Sequence, residues 1–204
     1  MTTILHEAVA GRATIVPWTV EQYHRAIETR LLSEDTSVEL IDGFIVHKDR
    51  AAAGEARMTI GHRHQIAVMR LAQAAPDFER HGCFLQTQQP ISLPPFNEPE
   101  PDGAVVRGAI DDSMTGPPRA PDVSCVIEVS DSSLTVDLGP KQTVYAAAGI
   151  RQYVVADLVN NSVLIHEEPA GNTYKRVTRY ARGETLPMAA GSGQVSLAAE
   201  RLLP

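Results

Sequence analysis

Apolar residues recur along the chain with two periods, one typical of helices and one typical of strands. After an N-terminal tail, Thr19 and Gln22 have the spacing of a capping box, in which side chains satisfy the free N–H groups of a helix start. This pattern predicts a first helix over residues 19–31. Helical spacing of apolar residues predicts a second helix over residues 58–75, which Pro76 is expected to end.

Strand patterns fill most of the middle of the chain. Asp42-Gly43 lies between two apolar runs and tolerates the positive φ angles of a tight turn, so a β-hairpin is predicted there. Extended segments are predicted from Cys83 onward and over residues 102–107. Residues 123–130, VSCVIEVS, are nearly all apolar or β-branched, which is typical of a central strand covered on both faces.

A third helix and further strands follow the central strand. Asp137 is expected to cap this helix, Pro140 fits its first turn, and Gly149 is expected to end it. Strands are then predicted in RQYVVADL, SVLIHEE and TYKRVTRY. A strand, a helix and a strand in this order form a crossover unit, so we expect an α/β or α+β fold around one sheet, as a single domain over residues 1–204.

Composition limits the class of protein. The chain has 204 residues, of which 43% are hydrophobic and 21% charged, and its formal net charge is -7. This charge argues against a protein that coats nucleic acid through bulk electrostatics, but not against an enzyme with a local basic rim. No apolar run reaches the length of a membrane span and no export signal is visible, so we expect a cytoplasmic protein without membrane contact.

Three carboxylates lie in segments whose other residues favour burial. Glu39 lies in VELI, Asp102 begins DGAVV, and Glu128 interrupts VIEV. An ionised carboxylate is costly to bury unless it is paired or binds a cation. For each acid alone, a strand end that faces water or an arginine partner is as good an explanation as a functional role. Brought together at one sheet edge, the acids predict an oxygen-rich site of the kind that holds Mg²⁺ beside phosphates.

These segments resemble the bacterial Uma family (Uma-two) of endonucleases, within the PD-(D/E)xK restriction-endonuclease-like superfamily. The resemblance lies in VELIDGFIV, EPEPDGAVV and VIEVSDSSLTVDLGPKQTVYAAAGIRQYVVAD, and it covers about residues 38–157. A PD dipeptide alone is not informative, since a second one occurs at Pro121-Asp122. The resemblance is specific because a whole set of residues matches in order. The matching positions are Glu39, Pro101-Asp102, Glu128-Val129-Ser130, Asp137, Lys141, Tyr145-Ala146, Gly149 and Tyr153.

The resemblance implies a mixed β-sheet flanked by helices, with an N-terminal helix and β-hairpins, and a metal site at the sheet edge. It assigns Asp102 as the acid of the PD element and Glu128 as the acid of the (D/E)xK element. The third position of that element is Ser130 here, a secondary candidate for the site. The lysine is expected instead on the following helix, as Lys141. Glu39 is expected as an additional acid that orients water or contributes to the metal.

The implied activity is that of an endodeoxyribonuclease, a hydrolase that cleaves DNA phosphodiester bonds and leaves a 5′-phosphate. Mg²⁺, with Mn²⁺ as a substitute, would be held by Asp102, Glu128 and the Val129 carbonyl, and Lys141 would assist the attacking water. A homodimer is expected because two copies most simply cut both strands of a duplex. Two alternatives stay open: a binding or regulatory module that keeps the fold without efficient cleavage, and a phosphodiesterase acting on RNA or a nucleotide.

Other residues are weaker candidates for the site. His62 and His64 could approach it, but a solvated helical face with one half-buried histidine is the preferred interpretation. Gln88 precedes the PD loop and could order the lysine or a water, or lie on the surface of an edge strand. Asp137 is interpreted as a helix cap and Tyr145 as a packing residue.

Overall fold

Strands make up most of the regular structure. A computed structural model describes residues 11, 14–33, 36–48, 61–113 and 116–204. The strands in this part of the chain are β1 (Val38–Ile41), β2 (Phe44–His47), β3 (Cys83–Gln86), β4 (Gly103–Arg107), β5 (Val123–Ser130), β6 (Gln152–Asp157), β7 (Ser162–Ala170), β8 (Thr173–Ala181), β9 (Thr185–Ala190) and β10 (Gly193–Ala198). The helices are α1 (Val20–Glu28), α2 (His62–Ala72), α3 (Ala75–Glu79), α4 (Leu134–Val136) and α5 (Gln142–Ala147), with a π-helical segment at Asp137–Lys141 between the last two.

A mixed sheet organises the fold. Within the described ranges it contains six strands in the order β3-β4-β5-β6-β7-β8. β5 and β6 are parallel, and the other neighbours are antiparallel. Parallel neighbours need a crossover connection, which the helical segment 134–147 supplies. The predicted crossover unit and the predicted mixed α/β fold class are both confirmed.

The central strand β5 separates two apolar cores. All eight of its residues are buried, as its continuous apolar pattern predicts. Ile127 packs with Leu71 of α2 on one side, and Val126 packs with Tyr145 of α5 on the other. Because successive side chains of a strand point to opposite faces, Glu128 lies on the same face as Val126, towards α5.

The N-terminal helix and the first hairpin form a smaller unit beside the sheet. The capping box of α1 is present: the Gln22 N–H donates to Thr19 Oγ1 at 3.2 Å, and the Thr19 N–H donates to Gln22 Oε1 at 2.9 Å. The helix ends at Glu28, before the predicted end at residue 31. Asp42 and Gly43 have φ angles of 51° and 75°, which confirms the predicted turn between β1 and β2.

The β1 strand is joined to the loop that precedes β4. The Glu98 N–H donates to the Leu40 carbonyl at 2.8 Å, and the Leu40 N–H donates to the Glu98 carbonyl at 3.3 Å. These bonds hold the hairpin against the segment that leads to Asp102. Glu39, which precedes Leu40, is thereby held close to this segment.

Two further helix predictions are also wrong in their ends. Of the predicted helix over residues 58–75, residues 58–60 lie outside the described residues, and α2 ends at Ala72. Pro76 does not end that helix; it lies in the first turn of α3, where its missing N–H costs nothing. Asp137 is not a helix cap, because α4 begins before it, after Ser133.

A C-terminal hairpin that no sequence pattern indicated packs on the sheet. β9 and β10 pair with each other in an antiparallel register. The buried Gln152 of β6 anchors β9, since its Oε1 accepts from the Ala189 N–H and its Nε2 donates to the Pro187 carbonyl, both at 2.8 Å. Within the described ranges, no helix combines the length and the apolar character that crossing a bilayer requires.

Candidate active site

The ammonium group of Lys141 lies between two buried carboxylates. Its Nζ atom is 3.0 Å from Glu128 Oε1 and 3.2 Å from Glu39 Oε2. Glu39 and Glu128 are each 4% exposed and Lys141 is 7% exposed. The structure therefore brings together three sequence-predicted residues from the first hairpin, the central strand and the crossover helix.

The crossover helix carries Lys141 to Glu128 because it starts directly after β5. Pro140 lies inside the helical segment and has no N–H to donate, and the backbone there forms the π-helical segment Asp137–Lys141. A π-helical turn inserted in a helix is frequent at functional sites. Lys141 is the last residue of this segment, and α5 continues from it.

Tyr145 is the second residue, after Lys141, that contacts the Glu128 carboxylate. Its hydroxyl donates to Glu128 Oε1 at 2.9 Å, the oxygen that Lys141 also contacts. Tyr145 is fully buried and packs against Tyr153 with ring centroids 4.9 Å apart. It is a packing residue, as interpreted from the sequence, but also a hydrogen-bond donor to the site. Lys141 and Tyr145 are four residues apart, a spacing that places two helical side chains on the same face.

Asp102 lies beside the end of the central strand. Gly103 pairs with Ile127 across β4 and β5, which places Asp102 next to the backbone of Val129. The Val129 N–H donates to Asp102 Oδ2 at 2.8 Å, and His64 Nε2 is 3.0 Å from the same oxygen.

The histidines of α2 differ in their surroundings. His62 is exposed, and His64 is half-buried, as the preferred interpretation of a solvated helical face expected. That interpretation missed the contact of His64 with Asp102. Gln88 is exposed and has a φ angle of 52°, and its N–H donates to the Asp102 carbonyl at 3.3 Å. Gln88 thus contacts the PD segment through its backbone.

Ser130 and Asp137 form a separate hydrogen-bonded unit. The Ser130 hydroxyl donates to Asp137 Oδ2 at 2.6 Å, and the Ser133 hydroxyl donates to the same atom at 2.5 Å. The Tyr153 hydroxyl donates to the Asp137 carbonyl at 3.0 Å. Asp137 is 2% exposed, so the residue predicted as a cap instead ties the end of β5 to the helix.

Burial and neighbouring charges shift the pKa values of the residues in this site. Burial raises the pKa of Glu128 well above its ordinary value, and Asp137, Asp102 and Glu39 add to this, whereas Lys141 opposes it. Burial also raises the pKa of Asp137, against the opposing effect of Lys141. Burial alone would lower the pKa of Lys141, but the three nearby carboxylates of Glu128, Glu39 and Asp137 raise it above its ordinary value. Lys141 is thus held as an ammonium ion among three carboxyl groups.

The residues of the site fit a divalent cation that binds with few protein ligands. No group of three or more His, Cys, Asp and Glu side chains in the described part of the chain is arranged to hold a metal ion. Mg²⁺, however, is usually bound through one or two carboxylates together with waters and substrate phosphates. Asp102 and Glu128 are hard oxygen donors, and a cation beside them would oppose the burial and the neighbouring acids that raise the pKa of Glu128.

Comparisons with known proteins agree with this architecture. The model of the Uma2 family, described as "Putative restriction endonuclease", matches residues 20–200. A crystal structure of a putative nuclease belonging to DUF820 from Anabaena variabilis ATCC 29413 is similar, with a TM-score of 0.63 and 15% sequence identity over 91% of this chain and 97% of that chain. At this identity the likeness shows a shared fold alone. No curated protein matches the chain significantly.

Proposed function

Because the chain belongs to the Uma2 family, described as "Putative restriction endonuclease", we propose that it is a metal-dependent endonuclease that hydrolyses phosphodiester bonds of DNA. One observation carries the proposal: the Lys141 ammonium contacts both Glu39 and Glu128, near the end of β5 that Asp102 also contacts. A nuclease needs both parts of this arrangement, since carboxylates recruit a cation and an ammonium stabilises phosphate charge.

Asp102 and Glu128 are the residues that would hold Mg²⁺, or Mn²⁺ in its place, with the Val129 carbonyl as a further oxygen. When bound, the metal supplies charge neutralisation at the phosphate and a lower pKa of a coordinated water. The Val129 N–H and His64 orient the Asp102 carboxylate through its Oδ2 atom. Lys141 and Tyr145 orient the Glu128 carboxylate through its Oε1 atom.

Lys141 acts as a charged donor and not as a base. The carboxylates around it raise its pKa above the ordinary value, so it keeps its proton at neutral pH. It therefore positions the attacking water and stabilises the charge on the phosphate, and it does not remove a proton from that water. Glu39 holds Lys141 in place, since its Oε2 atom forms an ion pair with Lys141 Nζ at 3.2 Å and accepts a hydrogen bond from the Glu100 N–H at 3.1 Å.

The residue at the usual lysine position of the strand has a supporting role. The hydroxyl of Ser130 is committed to Asp137 at 2.6 Å. Ser130 thus stabilises the start of the crossover helix and takes no part in the chemistry. Gln88 contributes its backbone N–H to the Asp102 carbonyl and lies exposed at the rim.

The proposed substrate is double-stranded DNA and the proposed assembly is a homodimer. Two copies related by a two-fold axis place one site at each strand of a duplex. With a net charge of -7, the chain gains little non-specific attraction to DNA from its overall charge. Binding is expected to depend on local contacts around the site and on the cation.

A second candidate is a binding or regulatory module that has kept the fold without efficient cleavage. The burial of Lys141, at 7% exposure, favours it, because an ammonium that is closed off by two carboxylates does not meet a phosphate without rearrangement. The complete set of Glu39, Asp102, Glu128 and Lys141 in one place favours the enzyme.

Nicking of supercoiled plasmid distinguishes the two candidates. The purified chain is incubated with plasmid in Mg²⁺, in Mn²⁺ and in EDTA, beside Asp102→Ala, Lys141→Ala and the matched control Lys175→Ala, which removes an exposed lysine of β8. Circular dichroism verifies that each variant is folded at the assay temperature. The enzyme predicts cation-dependent nicking that both site variants lose and the control keeps. Equal residual nicking in all four proteins would show that the site is not catalytic.

A further inference from the structure

The protein holds Asp102 and Glu128 through one oxygen each. Glu128 Oε1 accepts hydrogen bonds from Lys141 Nζ at 3.0 Å and from the Tyr145 hydroxyl at 2.9 Å. Asp102 Oδ2 accepts from the Val129 N–H at 2.8 Å and lies 3.0 Å from His64 Nε2. No hydrogen bond from a described residue falls on Glu128 Oε2 or Asp102 Oδ1.

Tyr145 is a rigid donor to Glu128. It is fully buried, and its ring packs against Tyr153. The hydroxyl donates to Glu128 Oε1 at 2.9 Å, so it orients the carboxylate without competing for the second oxygen.

His64 contacts one oxygen of Asp102, as Tyr145 contacts one oxygen of Glu128. Its Nδ1 atom is buried and has no hydrogen-bond partner among the residues the structure describes, so Asp102 is the partner that fixes the ring. The helix that carries His64 is anchored to the body of the protein. Arg63 donates to the Leu158 carbonyl at 2.9 Å and Arg70 donates to the Glu200 carbonyl at 3.0 Å.

Filling one oxygen of a carboxylate with two donors fixes its orientation and leaves the other oxygen for a ligand. Outer-sphere hydrogen bonds of this kind typically change metal affinity by about 10- to 100-fold. We propose that Tyr145 and His64 are positioning residues that fix Glu128 and Asp102 so that Glu128 Oε2 and Asp102 Oδ1 bind a divalent cation. This inference rests on the proposed function.

Titration of the full-length protein with Mn²⁺ by calorimetry, without DNA, tests the role of Tyr145. Tyr145→Phe is expected to weaken Mn²⁺ binding by about 10-fold or more. Tyr174→Phe is the matched control, because Tyr174 is also buried and its hydroxyl donates to a backbone carbonyl, that of Ile150, at 2.9 Å. The control is expected to bind Mn²⁺ like the wild type while its thermal unfolding midpoint without metal falls as far as that of Tyr145→Phe.

A second pair of variants tests His64 independently. His64→Ala is expected to weaken Mn²⁺ binding by about 10-fold, and His64→Gln, whose amide can donate near the position of Nε2, is expected to restore most of it. A merely structural role predicts that both variants bind Mn²⁺ equally well. Equal Mn²⁺ affinity of the wild type, Tyr145→Phe and His64→Ala would overturn the inference and leave the proposed function standing.

The remaining outcomes are also decisive. If the wild type itself binds no Mn²⁺ in the absence of DNA, the inference fails, whereas the proposed function is decided separately by the cation dependence of plasmid nicking. A crystal structure of the wild type soaked with Mn²⁺ decides the matter even if Tyr145→Phe does not fold. The ion is expected on Glu128 Oε2 and Asp102 Oδ1; coordination through Glu128 Oε1 or Asp102 Oδ2 would contradict the inference.

Discussion

Lys141 Nζ lies 3.0 Å from Glu128 Oε1, although 13 positions separate the two residues in the sequence. The contact exists because a helix that starts directly after β5 turns back over the face on which Glu128 points. Ser130, where a lysine on the strand would stand, faces Asp137 instead. The helix thus supplies an ammonium group to the strand's carboxylate from a different element of the fold.

Replacement of Lys141 by methionine should destabilise the protein at neutral pH. Met keeps the apolar stem but leaves Glu39 and Glu128 buried without a counter-charge. Breaking a buried ion pair in this way costs about 3–5 kcal/mol. Urea unfolding at pH 7.5 measures the loss, and Lys175→Met, at an exposed position, should change the free energy of unfolding by less than about 0.5 kcal/mol. Equal urea midpoints for the two variants would mean that the ion pairs are absent in solution.

A lysine at position 130 should partly replace Lys141. Side chains two residues apart on a strand point to the same face, so a lysine at this position would lie on the Glu128 side of β5. We expect Lys141→Ala with Ser130→Lys to nick plasmid at least about 10-fold faster than Lys141→Ala alone. This is less than the rate effect that one well-positioned donor typically has. Lys141→Ala with Ser130→Met controls for bulk without charge. Equal rates in the two double variants would refute the rescue.

The turn that precedes β2 should not accept a side chain. A Cβ atom on Gly43 would lie 2.2 Å from Pro17 Cβ, and the φ angle of Gly43 is 75°. Gly171 also has a positive φ angle, 61°, but a Cβ atom there would meet nothing within 4 Å. Gly171→Ala is therefore expected to lose about 1–2 kcal/mol of stability from backbone strain alone.

Gly43→Ala should lose clearly more stability than Gly171→Ala, because the overlap with Pro17 adds to the strain. It should also lower the nicking rate, since the same hairpin carries Glu39. Thermal unfolding and nicking of the two variants measure both effects. Identical losses in the two variants would show that the close approach of Pro17 is not present in solution.

His166 should make the fold sensitive to acid. The residue is 4% exposed, both ring nitrogens lack hydrogen-bond partners within the described part of the chain, and burial lowers its pKa to about 4. The unfolded chain binds a proton near the ordinary histidine pKa of about 6.5, whereas the folded chain does not. Stability is therefore full above about pH 6.5 and falls by up to about 3 kcal/mol as the pH drops towards 4.

His166→Leu places an apolar side chain of similar size between Tyr153 and Tyr174. The ring centroids of these tyrosines lie 5.6 Å and 5.8 Å from that of His166. The substitution should flatten the decline in stability between pH 6.5 and 4. Urea unfolding of both proteins across this range measures the difference. A parallel decline in the wild type and the variant would rule out a neutral buried His166.

The sequence pattern is sufficient to predict an element when the residues of that segment alone determine its conformation. The run VSCVIEVS is the fully buried strand β5, and Asp42-Gly43 is the predicted turn. The helix ends were wrong where tertiary contacts decide. Aspartate is a residue type that often caps helices, but Asp137 lies buried inside the helical segment. Its carboxylate accepts hydrogen bonds from the Ser130 and Ser133 hydroxyls. The hairpin β9–β10 went unrecognised because its strands, TLPMAA and GQVSLA, contain few β-branched residues.

The charged residues of the candidate site are predictable from the sequence, but the residues that orient them are not. Buried acids contradict the pattern around them, so Glu39 and Glu128 were visible in the sequence. The contacts of His64 with Asp102 and of Tyr145 with Glu128 join residues 38 and 17 positions apart. Such contacts depend on the packing of α2 and α5 against β5, which no local pattern encodes.

The most direct test of the central claim compares the two PD dipeptides of the chain. Asp102→Asn changes the acid that lies in the site, and Asp122→Asn changes the exposed acid of the second dipeptide. The initial rate of plasmid nicking is measured for both variants and the wild type in Mg²⁺ and in EDTA. We predict that Asp102→Asn loses more than about 100-fold of the Mg²⁺-dependent rate, because the charge stabilisation by a bound metal is worth several kcal/mol, and that Asp122→Asn retains the rate. Equal rates for Asp102→Asn and the wild type, or nicking that persists in EDTA, would contradict the account.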